Sequence, residues 1–189
     1  MIIHNIPYVH IDGEEVCTTT ACLTMVLRHL GEEVTAAQMG ELFVRTLMSR
    51  EFNDWYLHSI DTSKFEDNPM LSCAYYMVCH YFPYISAQIS KTTFERVRTS
   101  HLKRNIPVIM TGAFPMLSGK VATSVVLKGY LDDYFVVNDP RGNANSGYRD
   151  SLGENVMYSQ ESMARWIAPC GEPDMLRLLS KCTPTESSE

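Results

Sequence analysis

Four things are scarce in this sequence of 189 residues. No apolar run approaches the roughly 18–20 residues that cross a bilayer, so a membrane partner is not expected. Positive charge is not in excess: the net charge is −6 and the pI lies near 5.5. Nucleic acid is therefore not an expected partner, because phosphate contacts need clustered Lys and Arg. The densest basic stretch, residues 96–104 with Arg98, Lys103 and Arg104, reads as the solvated face of a helix. Cysteine is sparse, and none of Cys17, Cys22, Cys73, Cys79, Cys170 and Cys182 forms a CxxC pair. No metal and no cofactor is expected, and most of these thiols read as reduced, small buried hydrophobes. Histidine, finally, is missing from the whole stretch after His101.

What is present describes an ordinary globular chain. Hydrophobic residues make up 45% and charged residues 20%, and this length can bury a core without disulfides or metals. Residues 1–7 show no basic region ahead of a long apolar stretch, so no signal peptide is read and a cytoplasmic location is expected. The polar end, residues 183–189, is expected to fray.

The hydrophobic pattern changes period along the chain. Residues 2–9, broken by Pro7, read as an edge strand or extended lead-in, and Asp12-Gly13 as a turn. Residues 18–30 carry Ala21, Leu23, Met25, Val26, Leu27 and Leu30 on most sides of a helix, which predicts burial almost all round. Gly31 stops it. Thr35 caps a second helix to about residue 48. Residues 53–67 read as loop. Pro69 opens a third helix to residue 81, and a fourth is read over 92–103. Short β runs follow at 107–111, 121–128 and 134–138, the last two joined by Leu131-Asp132-Asp133 as a hairpin. A helix over 159–167 and a strand near 175–179 complete the chain. Helices first and an antiparallel sheet later give an α+β fold.

Two features carry possible chemistry. Cys17 stands just before the first buried helix, where free amides and the helix dipole favour a thiolate. Asn138-Asp139-Pro140 closes a strand, where a carboxylate can orient an imidazole or merely build a turn. The aromatics Trp55, Tyr56, Tyr75, Tyr76, Tyr81 and Tyr84 read as core or cleft wall.

Residues 6–31, IPYVHIDGEEVCTTTACLTMVLRHLG, resemble the opening of C39-like cysteine peptidases. That family places a Pro-containing lead-in and an oxyanion glutamine before a nucleophilic Cys that starts a helix. Residues 106–143 resemble its second half, with Val125-Val126-Leu127-Lys128-Gly129-Tyr130 followed by Asn138-Asp139-Pro140. Residues 141–148 and 153–156 are similar to C39-like domains of bacterial and phage origin. The resemblance implies a papain-like α+β fold, a helical half packed on a small antiparallel sheet, as one domain over 1–182. It also implies ancestral hydrolysis of amide bonds in peptides or peptidoglycan cross-links, hence a protein or peptide partner.

The departures from the family are chemical. Counted back from Gly129, the catalytic histidine position holds Thr123, and the oxyanion glutamine position holds His10. Aligned on Met25 without a gap, the nucleophile position is Thr18; a one-residue shift in the loop restores Cys17, the preferred reading. A thiol needs a base to take its proton and an acid for the leaving amine, and a threonine hydroxyl does neither near neutral pH. Asp139 would normally hold the imidazole. The first expectation is a catalytically silent, partner-binding domain. The second is an enzyme rewired to a Cys17–His10 dyad. The third draws its base from His29, His58, His80 or His101 through a different fold.

Overall fold

The computed structural model describes residues 2–11, 17–59, 69–167 and 174–180. The Asp12-Gly13 turn, the tail from residue 183, Cys170 and Cys182 lie outside the described residues.

The all-round apolar segment forms α1 (Thr18–His29), and Thr18 to Leu27 are buried without a break. Its hydroxyls are satisfied locally: Thr24 Oγ1 donates to Thr20 O at 2.8 Å, and Thr20 Oγ1 to Cys17 O at 2.8 Å. A helix start carrying three threonines can be buried only because such partners exist. Thr35 caps α2 (Ala36–Leu47) in a reciprocal box with Gln38. Helix α4 (Pro69–Tyr81) follows the expected bounds.

Residues 53–67, expected as loop, are corrected in part. Helix α3 (Arg50–Ser59) runs through their first part, and residues 60–67 lie outside the described residues. Asn53 and Asp54 weaken helix propensity, but Phe52, Trp55 and Tyr56 fall at i, i+3 and i+4 and lie against Tyr76 or one another. Packing wins over propensity there. Of the aromatics read as core or cleft wall, Tyr81 and Tyr84 are instead exposed. The fourth helix is also less regular than expected. A single turn, α5 (Phe94–Arg96), capped by Thr93, continues as a π turn over Val97–His101 and a 3₁₀ turn over Leu102–Arg104.

The sheet comprises β1 (Ile2–Ile3), β2 (Ile85–Lys91), β3 (Val108–Met116), β4 (Gly119–Leu131), β5 (Tyr134–Asn138), β6 (Val156–Ser159) and β7 (Asp174–Ser180). All pairings are antiparallel, in the order β2-β7-β3-β4-β5-β6, with β1 beside β4. Strands β2 and β6 were not read from the sequence: one sits on an edge with polar alternate residues, the other is four residues long. Successive residues split between two cores. Ile109, Val126, Leu176 and Leu178 pack with α1, α2 and α4; Val108, Met110, Val125, Leu127 and Met175 pack with residues of β5, β6 and helix α6 (Gln160–Ile167). Among the described residues no helix is long and apolar enough to cross a membrane.

The lead-in is strapped across the end of β5. Asn138 Nδ2 donates to Ile6 O at 3.2 Å, Tyr8 Oη to Asp139 O at 3.0 Å, and Ile11 N to Pro140 O at 3.0 Å. From the other side, Asp139 N donates to Gly153 O at 2.8 Å. A Cβ on Gly153 would stand 1.8 Å from Asp139 O and 2.7 Å from Tyr8 Oη. Only a residue without a side chain lets the Asp139 backbone and the Tyr8 hydroxyl come this close. Gly153→Ala is expected to cost about 3 kcal/mol of stability, because backbone must move. Urea unfolding of the variant checks this; an unchanged midpoint would show that the strap does not bear on the fold.

Candidate functional site

Cys17 occupies the N-cap of α1 with extended backbone (φ −74, ψ 153) and makes no side-chain cap. The sulfur is half-buried, and its Sγ lies 3.5 Å from Thr20 Oγ1. Thr20 Oγ1 also donates to Cys17 O at 2.8 Å. Thr18, the alternative nucleophile position, is buried, and its Oγ1 accepts from Ser124 N at 2.9 Å. Its hydroxyl is a structural clasp between α1 and β4. Beside it, Ser124 Oγ lies 2.7 Å from both Thr19 Oγ1 and Thr111 Oγ1. The start of α1 is thereby seated on β4 one residue away from Thr123.

Thr123 and Ser124 point to opposite faces of β4. Ser124 meets α1, whereas Thr123 lies on the face of Val125 and Leu127, and is fully buried. Asp139 follows β5 on that same face, continuing Phe135 and Val137, and is also 0% exposed. The two are not cross-strand partners, because the β4–β5 ladder ends at Val126 and Asn138. A third residue engages the carboxylate.

That residue is Tyr148. Its hydroxyl donates to Asp139 Oδ2 at 3.1 Å, and Tyr158 Oη donates to the same oxygen at 2.9 Å. Tyr158 also accepts from Ala144 N at 2.9 Å, which fixes the direction of its proton. Asp139 Oδ1 accepts from Arg141 N at 3.0 Å. Both lone pairs of Oδ2 are thus occupied by phenols. Tyr148 also lies close enough to Thr123 for that hydroxyl to favour its ionised form, yet Thr123 Oγ1 has no partner in hydrogen-bond geometry. Burial and the Asp139 charge raise the pKa of both tyrosines, so they remain protonated donors.

Burial pushes the Asp139 carboxyl up from 3.8 to about 6, against the opposing pull of Tyr158, Arg141 and Tyr148. Desolvation wins because the carboxylate has no contact with water.

His10 lies on the other side of the strap, where its Nδ1 is 3.3 Å from Tyr8 Oη. Tyr8 donates its proton to Asp139 O, and burial first of all raises its pKa to about 12. The remaining histidines are distributed elsewhere. His4 Nε2 is 2.6 Å from Leu102 O, and His29 Nδ1 is 3.2 Å from Asn5 O at the far end of α1. His58 and His80 bond carbonyls one turn back on their own helices. His101 is buried in the π turn, and burial together with Arg177, Arg96 and Arg104 lowers its pKa.

The model of the Peptidase_C39 like family matches residues 3–168. The chain belongs to this family. Its fold is that of C39-like peptidases of known structure. A putative C39-like peptidase from Bacillus anthracis aligns with TM-score 0.58 at 16% identity, covering 95% of this chain and 98% of that one. A double-glycine motif protease from an AMS/PCAT transporter, in complex with the leader peptide, aligns with TM-score 0.55 at 18% identity over 93% and 92%. The peptidase domain of Streptococcus ComA, a bi-functional ABC transporter of a quorum-sensing pathway, gives 0.53 at 12% over 94% and 100%. No curated protein matches the sequence.

A cysteine thus stands at the start of α1 and an aspartate at the end of β5, the latter surrounded by tyrosines. The sequence reading included Gly147-Tyr148 only as part of the resemblance and missed Tyr8, Tyr148 and Tyr158 as partners of Asp139. Nothing in their spacing marks them.

The raised Asp139 pKa predicts a pH dependence. The folded state holds a proton that the unfolded chain releases between about pH 4 and 6. The group's stabilisation is complete below about pH 4 and is lost as pH rises through 6. The size is on the order of 3 kcal/mol. The stability of wild type relative to Asp139→Asn is expected to grow by that order as pH falls from 8 to 4, measured by urea unfolding. A pH-independent difference would mean that the carboxyl titrates normally.

Proposed function

We propose that this chain is a catalytically silent C39-like domain that binds a peptide or protein partner. The observation that carries the reading is the state of the acid–base pair. Position 123 offers a buried hydroxyl, and Oδ2 of the carboxylate that would orient an imidazole is spent on two phenols. A hydroxyl with an ordinary pKa far above neutrality neither activates a thiol nor protonates a leaving amine.

What persists is a family scaffold with a buried α1 seated on the sheet and a half-exposed helix start. The peptide class of partner is in keeping with the related double-glycine protease, which is described with a leader peptide. A segment of a peptidoglycan cross-link is a second source of the same amide chemistry. The enzyme alternative keeps Cys17 as nucleophile and takes its imidazole from His10, whose ring is held beside Tyr8.

Turnover assays separate the two. Wild type is expected to hydrolyse peptide and peptidoglycan substrates no faster than Cys17→Ala. General acid–base help is worth about 10²- to 10⁴-fold, and it is absent here. Turnover in wild type that both Cys17→Ala and His10→Ala abolish would replace this reading with the dyad.

A further inference from the structure

Position 123 alone does not account for the arrangement around Asp139. The loop between β5 and β6 is built to deliver Tyr148 to the carboxylate. Asn143 Oδ1 accepts from Asn145 N at 3.0 Å, and a 3₁₀ turn follows over Ala144–Ser146. Gly147 and Tyr148 then both take left-handed backbone, each with φ 64. For glycine this conformation is free; for a bulky aromatic it is strained. The loop is closed on itself rather than loose: Tyr148 N donates to Asn143 O at 3.0 Å, Asn143 N to Asp150 O at 2.9 Å, and Asp150 N to Ser146 Oγ at 3.1 Å. The strained residue ends with its hydroxyl on Asp139 Oδ2.

We propose that Tyr148 is a plug. Its phenol takes a lone pair of the Asp139 carboxylate that an imidazole from position 123 would need, so the pairing is blocked by a residue outside the three catalytic positions. This rests on the reading of the chain as catalytically silent and gives that silence a second cause. Tyr158 does not play the same part. Its hydroxyl is tied to Ala144 N as well as to Asp139, and its ring lies in the core against Phe114 and Trp166. Tyr158 supports the loop, whereas Tyr148 reaches the carboxylate from the loop itself.

The test restores the imidazole with and without the plug and follows its titration by NMR. In Thr123→His the introduced ring, cut off from the carboxylate, is expected to titrate at or below the ordinary histidine value of about 6.5. In Thr123→His combined with Tyr148→Gly, which also relieves the left-handed strain, contact with Asp139 is expected to raise that pKa by at least about one unit. An equal rise in the single variant would show that Tyr148 bars nothing. No rise in the double variant would show that something else separates the two groups. Tyr148→Phe in the otherwise native chain keeps the ring and removes only the donor. The Asp139 carboxyl, followed by ¹³C NMR, is then expected to titrate about half a unit to one unit higher; an unchanged value would overturn the contact itself. These titrations do not depend on whether the wild-type chain turns over a substrate, so a rewired enzyme and a failed plug give different results.

Discussion

The turn Asn138-Asp139-Pro140 ties together pieces of chain that are far apart in sequence. Asn138 bonds the lead-in at Ile6 and the loop at Asn155, and touches Met25 of α1. Asp139 uses its backbone on Gly153 and Tyr8 and its side chain on Tyr148, Tyr158 and Arg141. Pro140 holds Ile11. Every polar group in a buried turn needs such a partner, because an orphan costs about 1–3 kcal/mol. The lead-in therefore cannot leave β5 without stripping bonds from groups that have no water to replace them.

This constraint bears on catalysis. In an acting C39-like site the carboxylate would serve an imidazole. Here it serves the architecture, and desolvation holds its pKa near 6. A buried charge engaged by phenols and one amide is an anchor whose cost is offset by the segments it fixes. The residue thus has an architectural use that needs no imidazole partner, which gives a physical reason for a buried aspartate at the end of β5.

The start of α1 follows a similar logic. Three threonines open a helix that is buried from its first turn, and each hydroxyl is matched to β4 or to the cap residue. Thr18, which an ungapped alignment would make the nucleophile, is the clasp to Ser124 N. Cys17 lies at the helix mouth, half-buried, with its thiol beside the Thr20 hydroxyl.

Periodicity by itself settled most of the elements. The all-round apolar run of α1, the capping box of α2, Pro69 at the start of α4 and the β4–β5 hairpin are local signals, and local chemistry decides them. The motif order from Cys17 to Asn138-Asp139-Pro140 pointed to the family. Tertiary structure decided the rest. Helix α3 exists because Phe52, Trp55 and Tyr56 find partners, against its own propensity. The environment of Asp139 comes from residues 8, 148 and 158, whose hydroxyls meet there only after the lead-in, the β5–β6 loop and β6 have folded over one another. A hydrogen bond between residues that distant leaves no periodic trace in a sequence, because its geometry is set by the packing of whole segments.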